Sequence, residues 1–508
     1  MKTLIAATLL ALPLLAQTHS ESITVEVVDV PVYVYNANGA VQNLKKDDFE
    51  LYVNGKPQSI DYFDPIDFRA PAKTEAAAAP APVVPRDTRD RRLFLLILDS
   101  AHSRPAAIDR ARKAAAAMIE ASAPSDYFSV ATYTAKRGLD LLVPFTNDHT
   151  VALRAALSMK GSSVHDPLAI SISATERENA DLMAGTISGG ADERAGADVI
   201  ATDPILQKLV GGAAADNALM PAIRMIEDQL QDFGDIAKRL GAFEGYKHVI
   251  LMSGGFSPTV TYREPRLMTE FRAMANAFRG AGAVVDAIDL GGTVNDTGFR
   301  KTFENDALHL IASETGGHFI QHENNLKNAL NEISTASAVG YRLGFNMPKN
   351  AKKGDNTIDV KVRNVPRGTT LSFRRGFSTT ISKPSPDDGL RLADIILNDM
   401  PQNGVPPRIV FAERPYVEIV VPAQQLLAVN GGKPVNADVM LYVFDDKHAV
   451  VEFKDKKVVI PSDAKRDIAL RDALDLKSGS YTIKALLRAG DSVGFTKQDF
   501  AIPTQAEK

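Results

Sequence analysis

Residues 93–103 read LFLLILDSAHS: six apolar residues in a row, then Asp99 and a short polar run. An unbroken apolar run of this length suits a strand covered on both faces, as in a parallel sheet flanked by helices. Outward from it, Ile108, Ala111, Ala115, Met118 and Ile119 mark one helical face, and Pro124 ends it. Phe128 to Tyr133 and Leu139 to Phe145 read as two further strands. A long helix is predicted over 216–240, where Leu219, Ile223, Ile226, Leu230, Phe233, Ile236 and Leu240 recur at steps of three and four. A face of that width reads as domain core. The pattern continues as strand 248–252, helix 265–279, strand 283–289, helix 304–315, strand 318–320 and helix 324–337, with Gly316-Gly317 as a helix stop. This alternation predicts an α/β doubly wound, Rossmann-like sheet over residues 93–340. Residues 146–210 give only short helices and a Gly/Ala-rich loop.

The flanks have a different texture. Residues 21–63 alternate apolar and polar, with a hairpin signal at Asn54-Gly55. An Ala/Pro-rich linker covers 64–92. Strands return at 341–381, prolines mark a second linker at 382–407, and residues 408–508 carry strands at sandwich-like spacing. The segments 21–63 and 341–381 are each too small to fold alone. They are expected to form one β-sandwich into which the α/β domain is inserted, with an immunoglobulin-like β-sandwich at the C-terminus.

Composition narrows the function. The 508 residues include no cysteine and carry a formal net charge of −4. Disulfides, thiol catalysis, zinc ribbons and iron–sulfur clusters are excluded. A basic nucleic-acid footprint is absent, so no nucleic-acid partner is expected. Residues 1–20 read as a signal peptide: Lys2, then Leu4 to Leu15 interrupted by Thr8 and Pro13, with cleavage after Ala16 or Ser20. The apolar run is too short to span a bilayer, and no later run is long enough. The chain is therefore expected to be exported, periplasmic or extracellular, with no transmembrane segment after cleavage.

In open α/β sheets, ligands sit beyond the carboxyl ends of the strands. Three segments lie there: Asp99-Ser100-Ala101-His102-Ser103, Gly211 to Asp216, and Ser253-Gly254-Gly255 with Ser257 nearby. Asp99 has a second reading, as a carboxylate capping backbone N–H groups before a helix. Ser253-Gly254-Gly255 also reads as an ordinary turn. The histidines His309, His318 and His322 and the pair Asp286 and Asp289 suggest no acid–base site, because His318 and His322 do not share a helix face and residues three apart on a strand face opposite sides.

The segments 93–103, 128–133, 211–219, 247–255, 283–289 and 314–319 together resemble a von Willebrand factor A domain. The flanking strands, with Asp47 to Leu51, Tyr341 to Phe345 and Phe373 to Phe377, resemble the exported family of such proteins found in acidobacterial genomes. That resemblance covers roughly residues 22–380. It implies a metal-ion-dependent adhesion site, in which an Asp-x-Ser-x-Ser strand end, a threonine and a second aspartate hold a divalent cation for a partner carboxylate. Hard cations take such oxygen ligands. In this chain Asp99 and Ser103 match, but Ala101 replaces the middle serine. Ala213 or Ala215 stands in the threonine position, and Ser253 replaces the second aspartate. The resemblance thus implies a degenerate site. It holds no cofactor, or a weakly bound Mg or Ca ion with Asp99, Ser103 and Ser253 as its ligands.

No Gly-x-Ser-x-Gly elbow, Walker loop or His-Glu-x-x-His helix occurs, so no enzyme activity is expected. The expected function is adhesion-type binding of a protein or extracellular polymer. The binding face comprises Asp99, Ser100, His102, Ser103, Asp216, Ser253, Gly254, Gly255 and Ser257. The alternative is a structural module of a cell-envelope assembly whose β-domains make the contacts.

Overall fold

The computed structural model describes residues 27–36, 39–69, 90–159, 213–255, 264–290, 306–321, 325–347, 351–379, 389–411 and 415–503. The segment read as a signal peptide, most of the Ala/Pro-rich linker and of 146–210, Gly211, Gly212, Ser257 and His322 lie outside the described residues.

The chain opens with β1 (Val27–Asn36), β2 (Gly39–Ala40), β3 (Phe49–Val53), β4 (Lys56–Gln58) and β5 (Tyr62–Asp67). A helix-rich region follows: β6 (Arg92–Asp99), α1 (Pro105–Ala121), β7 (Asp126–Thr134), β8 (Gly138–Thr146), α2 (His149–Ser158) and α3 (Ala213–Leu240). It continues through β9 (Tyr246–Ser253), α4 (Pro265–Ala281), β10 (Ala283–Asp289), α5 (Asp306–Thr315), β11 (Phe319–Ile320) and α6 (Leu326–Ala336). Strands return as β12 (Val339–Asn346), β13 (Asp355–Val362), β14 (Thr370–Phe373) and β15 (Gly376–Ser378). The C-terminal region holds α7 (Gly389–Asn398), β16 (Arg408–Phe411), β17 (Tyr416–Val421), α8 (Ala423–Val429), β18 (Val435–Asp445), β19 (Val450–Ile460), β20 (Ile468–Ala473), β21 (Gly479–Ala489) and β22 (Ser492–Ile502).

β6 lies inside a six-stranded sheet of order β11-β10-β9-β6-β7-β8. Its apolar run is explained by the two faces it fills. Leu93, Leu95 and Ile97 join Ile226, Leu230 and Phe233 of α3 and Phe271 of α4. Phe94, Leu96 and Leu98 join Ala111 and Ile119 of α1 and Leu330 of α6. Each such side chain contributes roughly 1.5–3 kcal/mol on burial.

The expected α/β doubly wound class with β-sandwich additions is corrected by the structure. Strand outweighs helix among the described residues, and the strands form five sheets, four of them wholly antiparallel. The helix-flanked sheet is itself mixed: β6, β7, β9, β10 and β11 are parallel, but β8 returns antiparallel to β7. The reason is the short turn at 135–137, which is too brief for a crossover helix and leaves only a hairpin return.

Two other sheets draw strands from both sides of the helix-rich region. One has the order β14-β1-β12-β5, with Val27 opposite Asn346 and Val339 opposite Asp67. The second runs β15-β13-β3-β4, with Ile358 opposite Val53. Val30, Val32, Leu51, Leu343, Phe345 and Val360 fill their shared core. The chain leaves and rejoins these sheets at one point, where Phe68 N–H donates to Ala338 O at 2.9 Å.

The C-terminal strands form the sheets β16-β17-β20 and β19-β18-β21-β22. Within the segment read as a proline-marked linker lies the helix α7. Leu392, Ile395 and Ile396 pack on Tyr442, Phe444 and Leu486, while Leu390 joins the core of the helix-rich region. Arg91 Nη1 donates to Asp394 at 2.8 Å, and Asn398 Nδ2 donates to Phe145 O at 2.8 Å. No helix among the described residues is long and apolar enough to cross a membrane.

Candidate functional site

β6 and β9 are neighbours, so their carboxyl ends bring Asp99 and Ser253 together. The Asp99 side chain is fully buried. Its Oδ1 accepts from the Ala101 N–H at 3.0 Å and the His102 N–H at 3.1 Å. Its Oδ2 accepts from Ser253 Oγ at 2.7 Å and Gln229 Nε2 at 2.9 Å, and lies 3.0 Å from His102 Nδ1. Both readings of Asp99 therefore meet in one residue: it caps the backbone that leads into α1, and it gathers side chains from β9 and α3.

Ser253 Oγ also accepts from the Gly255 N–H at 2.9 Å, and Ser103 Oγ accepts from the Gly254 N–H at 3.0 Å. The loops after β6 and β9 thus touch. Their approach requires a glycine, since a Cβ on Gly254 would stand 2.0 Å from His102 O. Ser100 N–H donates to Tyr133 O at 2.9 Å, tying the same loop to β7.

Burial pushes the Asp99 pKa up, but the His102 ring, Ser253 and Gln229 outweigh it and hold the carboxyl below the usual carboxylate range. A divalent cation would need the lone pairs that these donors occupy. The set around Asp99, with two amide N–H groups, a hydroxyl, a carboxamide and an imidazole, fits a carboxylate and does not fit a cation held by Asp99, Ser103 and Ser253. Among the described residues no group of three or more His, Asp or Glu side chains could hold a metal ion.

Of the residues expected on this face, Asp99, Ser100, His102, Ser103, Ser253, Gly254 and Gly255 converge. Asp216 lies on α3, and its side chain is outside the described residues, as are those of Ala213 and Ala215. Ser257 is likewise not described. Gln229 is a participant that the sequence reading missed. Its signal is a polar residue in the apolar stripe Ile226, Leu230, Phe233, where a carboxamide needs a partner. It is 2% exposed and reaches across to Asp99.

A second buried carboxylate, Asp286 of β10, accepts from the His318 N–H at 3.0 Å and lies 2.5 Å from His318 Nδ1 and 3.4 Å from His248 Nδ1. Burial pushes its pKa up, but both rings outweigh that and hold it far below the usual range. Burial lowers the His318 pKa, but Asp286 more than restores it, leaving it raised. The rings of Tyr33 and Tyr35 on β1 pack on His248 and His318 with centroids 5.1 and 4.9 Å away. This cluster joins the mixed sheet to β1 and is separate from Asp99. His309 stands apart, edge-on to Phe319 at 5.8 Å.

No family model and no curated protein matches the chain. Among solved structures, it is similar to the conserved hypothetical protein BatB from Bacteroides thetaiotaomicron at 13% identity, over 48% of this chain and 98% of that one, with a TM-score of 0.26. The chicken interferon gamma receptor alpha chain shares 9% identity over 32% of this chain and 73% of that one, with a TM-score of 0.15. A glycosyl hydrolase family 2 member from Bacteroides cellulosilyticus shares 13% identity over 32% of this chain and 20% of that one, with a TM-score of 0.15. At such scores, none of these likenesses carries a fold or a function to this chain.

Proposed function

We propose that the chain is an exported, non-enzymatic binding protein that engages a protein or extracellular polymer through the loops after β6 and β9. The observation that carries this reading is the closed hydrogen-bond cluster on Asp99. It fixes two loops from different strands side by side, at the end of the sheet where ligands usually sit. The motif resemblance to von Willebrand factor A proteins supports the same face. Because the carboxylate is occupied by protein donors, recognition here is metal-independent.

A second reading, the envelope module with contacts through its β-domains, is favoured by apolar side chains left exposed on the C-terminal sheets. Val459 is 68% exposed, and Val451 and Phe453 lie on the same edge strand, β19. Photo-crosslinkers placed at Ser103 and Gly255, and separately at Val451 and Val459, distinguish the two in the envelope fraction. Crosslinks from the first pair only are expected. Crosslinks from the second pair only would replace this reading with the alternative.

A further inference from the structure

At the opposite end of the parallel strands, a crevice of about 980 Å³ lies where β1, β5 and β12 meet the start of β9 and the end of α4. Two of the cations lining it have an unusual situation. Lys247 Nζ donates to Ala281 O at 2.8 Å. Arg374 donates from Nε to Gly376 O at 2.9 Å, from Nη1 to Asp29 O at 3.2 Å and from Nη2 to Arg279 O at 3.4 Å. All four acceptors are backbone carbonyls. Among the described residues neither side chain is ion-paired with a carboxylate. Both residues are half-buried, and lysine and arginine partly withdrawn from bulk water commonly have such a partner.

The carbonyl ends of α4 account for some of this arrangement, since a helix C-terminus attracts positive charge. Gly282, at φ 69°, lets the guanidinium lie there: a Cβ would come within 3.0 Å of Arg374 Nη1. A capping role alone leaves two like charges facing one open crevice. Burial first, then Arg374 and Arg91, push the Lys247 amine down to about 7 against the opposing pull of Glu244. Burial likewise lowers Arg374 to about 10, with Asp29 opposing.

Asp29 and Glu244 act on this pair through space, but no acidic residue described around the crevice forms an ion pair with either side chain. Asp61, Asp64 and Glu244 are exposed. Asp61 Oδ2 accepts from the Asn346 N–H at 2.8 Å, and Asp64 faces Arg342 at 4.0 Å. Arg342 also pairs with Asp90 and donates to the Tyr246 hydroxyl at 2.8 Å, so it is already engaged. Asp29 is half-buried and has an interaction of its own.

We propose that this crevice is a binding site for a small oxyanion, a carboxylate or a phosphate, held between the Lys247 and Arg374 side chains. The anion supplies the direct ion-pair partner that neither side chain has among the described residues. It favours the ammonium form of Lys247, so binding takes up a proton. With the free amine near 7, that uptake at pH 7 is a fraction of a proton per site.

The test is calorimetric titration of the full chain at pH 7, with inorganic phosphate and separately with succinate, in two buffers of different ionisation enthalpy. Native protein and Lys247→Met are compared. Acylation of Lys247, followed by peptide mass spectrometry with and without each anion, gives a readout that does not depend on the variant folding. The expected result is millimolar or tighter binding with proton uptake and protection of Lys247. Loss of one charged hydrogen bond in Lys247→Met should weaken binding about tenfold or more and abolish the uptake. Phosphate binding alone, or succinate binding alone, assigns the oxyanion class. No protection of Lys247 at millimolar anion, or unchanged affinity and proton uptake in the variant, overturns the proposal.

Discussion

Replacing Asp99 should reveal how much of the site is held by one carboxylate. In Asp99→Ala, five donors lose their acceptor at once: the amides of Ala101 and His102, the Ser253 hydroxyl, the Gln229 carboxamide and the His102 ring. A buried donor left without a partner costs about 1–3 kcal/mol. Rotation of the serine hydroxyl and retreat of the imidazole relieve some of this. A net loss of about 3–5 kcal/mol is expected, comparable to removing one partner of a buried ion pair. Asp99→Asn should cost less, about 1–2 kcal/mol. Its carbonyl keeps the two backbone amides, and its NH2 can meet Gln229 Oε1, which has no partner among the described residues, once that carboxamide turns over.

Because several folded units share the chain, a global unfolding free energy is a poor measure. Hydrogen exchange at the Ala101 and His102 amides reads the local opening directly. Each 1.4 kcal/mol should accelerate exchange about tenfold, up to the limit of global opening. The sign of the pH dependence follows from the depressed pKa of Asp99. Its stabilisation is fully present above the unfolded carboxyl value of about 4, and is lost as pH falls through the lower folded value. The advantage of native over Asp99→Asn should therefore shrink below about pH 4. Equal exchange in native protein and Asp99→Ala would refute the idea that the loops depend on this carboxylate.

Other outcomes follow from the same structure. Millimolar magnesium, calcium or manganese should leave the melting midpoint unmoved, since a cation bound only by the native state must raise it; a clear rise would show that metal displaces the donors around Asp99. Arg92 and Asp126 form a buried bidentate pair at 2.8 and 2.6 Å, so Asp126→Ala should lower the local opening free energy read by hydrogen exchange in β6 and β7 by about 3–5 kcal/mol, and a loss under about 1 kcal/mol would contradict it. The raised pKa of His318 gives stability that is present below about pH 6.5 and lost as pH rises through the folded value. His318→Gln should flatten that alkaline decline in a pH series of denaturation midpoints, and an unchanged decline would place its cause elsewhere.

The elements were more legible than their assembly. The run Leu93 to Leu98 announces β6, and the stepped apolar face before Leu240 announces α3, because burial on two faces and burial on one stripe leave different periods. Pairing is another matter. Nothing in the alternation of β1 specifies β12 as its partner, for a period of two fixes which side chains face inward and not which strand lies alongside. The return of β8 depends on a three-residue turn, which strand-helix alternation overlooks. Proline density hid α7, although Leu390, Leu392, Ile395 and Ile396 already carry a helical face. Within the site, Asp99 and Ser253 were recognisable as residues at strand ends. Gln229, and the meeting of Asp286 with His248 and His318, depend on contacts between distant segments that spacing alone does not disclose.

The meeting point of Phe68 and Ala338 has a mechanical consequence. Tension applied between Val27 and Asn346 runs from β1 to β12 through their hydrogen bonds, and bypasses the described residues from 69 to 337. Val27 lies opposite Asn346, so the two strands are pulled from the same end and separate rung by rung, like a zip. The mixed sheet and the Asp99 loops lie in a side loop of the force path. A molecule stretched between these two residues would open its flanking strands first and keep that end of the sheet intact.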